Sequence, residues 1–126
     1  MYERALKIHE QQLGGEHPDT ATSMNNLAAL YHELGRIKEA ELLFRRALAI
    51  WERALGSEHP NTAISLSWLA LSHHQQWQYE QAQPLYERAL AIYERALGPG
   101  HPNTLNLRRN YASLLQDMES EVDEEE

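Results

Sequence analysis

The chain has no cysteine and only one phenylalanine among its 126 residues. Without cysteine there is no disulfide, no thiolate metal site and no cysteine nucleophile, which fits a reducing compartment and an expected cytoplasmic setting. No apolar run approaches the roughly 18 residues of a membrane span. The N-terminal "MYERALKIHEQQL" is charged and amphipathic, unlike a secretory signal. Basic residues are also scarce: net charge is -8. Six of the negative charges sit in the last eight residues, "ESEVDEEE", with no base among them, leaving about -2 for the rest. Such a run reads as a solvated, disordered tail over 119–126. A chain with no basic face is not expected to bind nucleic acid.

What is present is a repeat. "LGGEHPDTA" begins at Leu13, "LGSEHPNTA" at Leu55 and "LGPGHPNTL" at Leu97, a period of 42. Half of the positions in 13–54 are identical to those in 55–96. Self-similarity at this period marks a stacked-repeat architecture. The first residues parallel the end of a unit, "YERALKIHE" at Tyr2 matching "FRRALAIWE" at Phe44. The expected organisation is the end of a preceding unit over 1–12, unit one over 13–54, unit two over 55–96, and the first helix of a third unit within 97–118.

Each unit reads as two helices. Ala21, Met24, Leu27, Ala28, Tyr31 and Leu34 recur at three- and four-residue spacing, and Gly35 then offers a stop. Ala40, Leu43, Phe44, Ala47, Leu48 and Ile50 continue the pattern to Gly56. The spacing predicts helices over about 1–12, 18–34, 37–54, 60–76, 79–97 and 102–118, and no strand. No helix can bury its apolar stripe alone, so neighbours must cover it. Ala5, Leu6 and Ile8 at one end, and Tyr111, Leu114 and Leu115 at the other, are expected to lie exposed.

The His-Pro motif invites a metal reading, but the three histidines lie one helix pair apart, roughly 20 Å. A zinc ion holds nitrogens at about 2.1 Å and cannot serve two copies. The pattern instead suits a structural joint: Gly14, Gly56 and Gly98 past a helix end, His17, His59 and His101 as extended bridges, and Pro18, Pro60 and Pro102 at a first helical position that needs no N–H. His73 and His74 point about 100° apart on a helix. His73 reads as a packed histidine. No serine sits in a nucleophile elbow, and "LGPG" lacks the ending of a phosphate loop. No enzyme, metal or cofactor is expected.

Met24-x2-Leu27-Ala28-x2-Tyr31 followed by Ala40-x3-Phe44, and Leu66-x2-Leu69-Ala70-x2-His73 followed by Ala82-x3-Tyr86, resemble the tetratricopeptide repeat. The 42-residue period and "LGxxHPxTA" resemble its long kinesin-light-chain type. Trp77 in place of Gly35, and Arg108 at an apolar slot, depart from the pattern. The resemblance implies an all-α, right-handed solenoid of about three units and a non-enzymatic scaffold that binds a protein or peptide on its concave face. Ligand contacts would come from first-helix positions off the packing stripe: Asn25, Asn26 and Ala29, then Ser67, Trp68 and Leu71, then Arg109 and Asn110. Asparagine carboxamides can bond a peptide backbone, and a tryptophan off the core stripe suits a hot spot. A plainer reading has the asparagines as repeat consensus and Trp68 packed on a neighbour. Exposed end stripes also leave open homo-oligomerisation by stacking or helix exchange.

Overall fold

The computed structural model describes residues 2–13 and 17–125. They form six helices: α1 (Tyr2–Leu13), α2 (Pro18–Glu33), α3 (Ile37–Leu55), α4 (Pro60–Gln75), α5 (Tyr79–Ala96) and α6 (Pro102–Glu125). No strand occurs among the described residues. Each helix packs on the next in sequence, while α2 also touches α4 and α4 touches α6. α2 and α4, the first helices of units one and two, therefore each meet their own second helix, the second helix of the preceding unit, and the next first helix.

Small residues set the closest approaches. Ala21, Ala28, Ala40, Ala47, Ala63, Ala70, Ala82 and Ala89 are fully buried, between larger side chains such as Met24, Phe44, Leu66, Leu69 and Tyr86. The core runs along the stack. One section joins Leu6, Met24 and Trp51, a middle one Phe44 and Leu69, and the last Leu66, Tyr86, Ile92, Leu107 and Leu114. Burying a side chain of this size contributes about 1.5–3 kcal/mol. Polar ties cross the helices. The Tyr31 hydroxyl donates to Glu3 at 2.7 Å, and the Trp51 indole donates to the Pro18 carbonyl at 3.3 Å.

The turn between the paired helices is a Schellman stop. In unit one, Gly35 N–H donates to the His32 carbonyl at 3.1 Å and Arg36 N–H to the Tyr31 carbonyl at 2.8 Å, with Gly35 at φ +82°. Unit two repeats both bonds, from Trp77 to His74 at 3.1 Å and from Gln78 to His73 at 2.9 Å. Trp77 therefore occupies the glycine position and takes φ +65°, which is unusual for a bulky residue. The other departure, Arg108, is accommodated by an ion pair to Glu94 on α5 at 3.3 Å.

Two expectations need correction. α6 does not stop at Met118 but runs to Glu125, so the acidic stretch over 119–125 is helical rather than disordered. Glutamate is a good helix former, and no glycine or proline follows Met118 to end the helix. The end stripes are also only partly exposed. Ile8 and Leu115 are 42% and 41% exposed, but Leu6 and Leu114 are buried and Tyr111 is half-buried, its hydroxyl donating to Glu87 at 2.8 Å. α2 and α5 supply the cover. The side chain of Ala5 lies outside the described residues.

Candidate functional site

The His-Pro joints have one geometry. His17, His59 and His101 precede the first helical residue, and each Nδ1 accepts the backbone N–H two residues on: Asp19 at 3.1 Å, Asn61 at 3.0 Å and Asn103 at 3.1 Å. The histidine is thus the N-cap, in the role usually taken by Ser, Thr, Asp or Asn. Its backbone is extended, with ψ of 142° at His17 and His59, as a following proline requires. Pro18, Pro60 and Pro102 begin the helices. An accepting Nδ1 leaves the ring proton on Nε2. Gly56 and Gly98 sit at φ +96° and +92°, where a side chain would be strained. Gly14 lies outside the described residues.

His73 is buried, with Nδ1 2.6 Å from Gln78 Oε1 and Nε2 3.1 Å from Arg45 and 3.4 Å from Glu41. Burial works against the Glu41 charge, but hydrogen bonds from Arg45 and Gln76 and the nearby His73 hold its carboxyl below the usual range. His74 lies 2.7 Å from Asp117 and 3.2 Å from the Tyr86 hydroxyl, tying α4 to α6 and α5. Burial pushes the Tyr86 hydroxyl well above its ordinary value. No group of three or more His, Asp or Glu side chains is placed to hold a metal among the described residues.

The eight groove positions divide. Ser67, Trp68, Leu71 and Asn110 meet around one cavity of about 310 Å3 between α4 and α6, with Ile64, Asn103, Asn106 and Leu107. Tyr93 of α5 forms its floor; it is 5% exposed, and burial raises its hydroxyl pKa, a hydrogen bond with Ser67 opposing the shift. Attention to first helices alone misses Tyr93. Its signal was the large aromatic at the matching position of unit one, Trp51. Trp68 is half-buried. Its ring stacks on Phe44 at 5.3 Å and 10°, and meets His32 edge-on at 5.3 Å.

Asn26, Ala29 and Arg109 lie off this cavity, the first and last of them exposed. Asn25 is 7% exposed and accepts a hydrogen bond from Ser65 at 3.1 Å, so it joins α2 to α4 instead of facing a groove. The reason is the stack itself. Asn25, Ser67 and Arg109 occupy matching positions. Ser65 of α4 covers Asn25, Ser67 lines the cavity opposite Asn106 and Leu107 of α6, and Arg109 meets no further first helix among the described residues. The cavity lining carries no charged side chain.

Comparison with known proteins agrees with this architecture. The family model of the tetratricopeptide repeat matches residues 1–53, 43–95 and 62–121. No curated protein matches the chain significantly. Among solved structures, BtubC (BKLC) from P. vanneervenii is 28% identical with a TM-score of 0.81, over 91% of this chain and 46% of that one. A kinesin-light-chain-like Podosopora anserina protein with nearly identical TPR-like repeats is 30% identical, with a TM-score of 0.71 over 97% of this chain and 58% of that one. The chain thus spans about half the length of the proteins it resembles. Tetratricopeptide repeats generally mediate protein–protein interaction, and their fold is typically a non-enzymatic scaffold. With three overlapping matches along its length, six antiparallel helices and the 42-residue joint, the chain belongs to the tetratricopeptide repeat family, in its kinesin-light-chain-like form.

Proposed function

We propose that the chain is a scaffold segment that holds an extended, uncharged stretch of a partner protein between α4 and α6. The observation that carries this is the cavity where Trp68 faces Asn106 and Asn110. Both carboxamides are without a hydrogen-bond partner among the described residues, and each can give and accept a bond to a peptide backbone. Ile64, Leu71 and Leu107 offer an apolar wall for one side chain. The neutral lining favours an aliphatic or aromatic residue there over a charged one.

Panning a random peptide library against the chain tests this. The expected enrichment is for neutral peptides with a bulky apolar residue, and Asn110→Ala should weaken them about tenfold. Trp68→Ala is the poorer probe, because the ring also packs on Phe44. Enriched peptides that bind Asn110→Ala and wild type equally would reject this site.

A second reading, self-assembly, is favoured by one face of α6. Leu105, Ala112 and Leu115 are exposed, whereas the matching Ala63, Ala70 and His73 are buried. α1 has the sequence of a unit's second helix, so α1 of another copy is the fitting cover. Light scattering should then show concentration-dependent assembly that Leu115→Glu abolishes; a strict monomer at high concentration rejects it.

A further inference from the structure

Trp77 is unaccounted for by the fold or by the groove between α4 and α6. It is 77% exposed, the most exposed large apolar side chain described. It also sits at φ +65°, in the position where unit one has Gly35. A bulky ring there contributes little burial and imposes a disfavoured backbone, the kind of local conflict that gathers at functional sites.

The ring does not stand alone. Tyr79 lies beside it, with centroids 6.1 Å apart and planes tilted by 31°. Tyr79 in turn meets the edge of His74 at 5.6 Å, and His74 is held by Asp117. Two adjoining hollows of about 420 and 490 Å3 share Trp77, Tyr79 and Glu121. Their linings include three carboxylates, Glu80, Asp117 and Glu121, and no lysine or arginine. Asp117 is engaged by His74, while Glu80 and Glu121 make no ion pair among the described residues.

We infer that this joint between α4 and α5 is a second docking surface, which takes a basic stretch of a partner protein by seating a Lys or Arg side chain on the Trp77–Tyr79 platform between Glu80 and Glu121. A tryptophan face attracts a guanidinium or ammonium group, and flanking carboxylates add charge complementarity. The matching joint of unit one is a built-in contrast: Gly35, Ile37 and Lys38 give it no aromatic ring and the opposite charge. The surface is separate from the neutral cavity between α4 and α6; Leu71 is the one residue that lines both.

The test is fluorescence anisotropy at low salt with labelled, N-acetylated, C-amidated tetra-arginine, and tetraglutamate as control. Wild type should bind tetra-arginine saturably and tetraglutamate not at all. Trp77→Gly and Trp77→Asn, both suited to the left-handed backbone, should weaken binding about tenfold while retaining every carboxylate. Glu80→Gln with Glu121→Gln should weaken it as well and flatten its salt dependence. Asn110→Ala should leave it unchanged, which separates this surface from the proposed peptide cavity. Equal affinity in wild type, Trp77→Gly and Trp77→Asn would show that the acidic end of α6 alone attracts the peptide and would overturn the inference, as would equal binding of tetraglutamate.

Discussion

At position 77, glycine should be more stabilising than alanine, the reverse of the usual order inside a helix. Trp77 holds the left-handed conformation, at φ +65°, because the Schellman turn requires it. That conformation costs a residue with a Cβ about 1–2 kcal/mol. Trp77→Ala and Trp77→Gly both remove the ring, so the loss of its contact with Tyr79 cancels between them. Glycine alone relieves the backbone, offset by about 0.5–1 kcal/mol of extra freedom in the unfolded chain. The net is about 0.5–1 kcal/mol in favour of glycine, or a Tm difference of about 2–5 °C for a chain of this length. Arg46, exposed in the middle of α3, supplies the reference. There Arg46→Gly should be less stable than Arg46→Ala by about 1 kcal/mol. Urea and thermal melts followed by circular dichroism measure all four variants. If alanine equals or exceeds glycine at 77, the strain argument is wrong. The further expectation is that the glycine variant, although more stable than the alanine one, loses affinity for tetra-arginine.

Three other perturbations have signs fixed by the structure. The Thr62 hydroxyl donates to the Gly56 carbonyl at 2.9 Å, whereas the matching Thr104 hydroxyl is buried without a partner among the described residues; Thr62→Val should cost about 1–2 kcal/mol in a urea melt and Thr104→Val should stabilise by about 1 kcal/mol. Pro84 lies inside α5 on an exposed turn, where unit one has Leu42, so Pro84→Leu should restore a helical hydrogen bond and raise stability by up to about 3 kcal/mol, read from the same melts. Burial holds the His32 imidazole below its ordinary pKa. The fold therefore prefers it neutral, its contribution is fully present above about pH 6.5, and it is lost as pH falls through the folded value. His32→Leu should flatten the fall in Tm between about pH 7 and 5; an unchanged slope would refute the assignment.

The helix ends were legible because the joint writes them in glycine and proline, whose backbone preferences are local. α2, α3 and α5 begin and end within one residue of where Gly35, Gly56, Pro18 and Tyr79 put them. The end of α6 was misread because charge was weighed over helix propensity: "ESEVDEE" repels itself yet contains nothing that breaks a helix. The site was legible only in part. Spacing puts Asn25, Ser67 and Arg109 in one column, but their exposure depends on which helix stands opposite, a property of the stack and not of the residue. Trp68 shows the same limit. The heptad-like pattern leaves it off the stripe, while the crossing of α3 and α4 lays it flat on Phe44. The sequence marks His17, His59 and His101 as extended bridges, and the structure adds that each ring caps its helix by accepting a backbone N–H at Nδ1, a role residue type alone does not suggest because histidine is an uncommon cap.

The His-Pro joint has a consequence for how such chains change length. The stop at Gly56 and the start at His59 and Pro60 lie within five residues, and every bond that defines them is internal to that stretch or reaches only its flanking helix turns. A cut there leaves both neighbouring helices punctuated. Residues 56–97 can accordingly be duplicated in tandem with each new seam copying an old one, since energy in a stacked array resides in units and nearest-neighbour contacts. A cut in the middle of α4 would instead separate Ala63 and Leu66 from Leu69 and Ala70 and leave neither piece a complete face. The 42-residue period is in this sense an editing frame: gain or loss of whole multiples preserves every interface, and any other number breaks one.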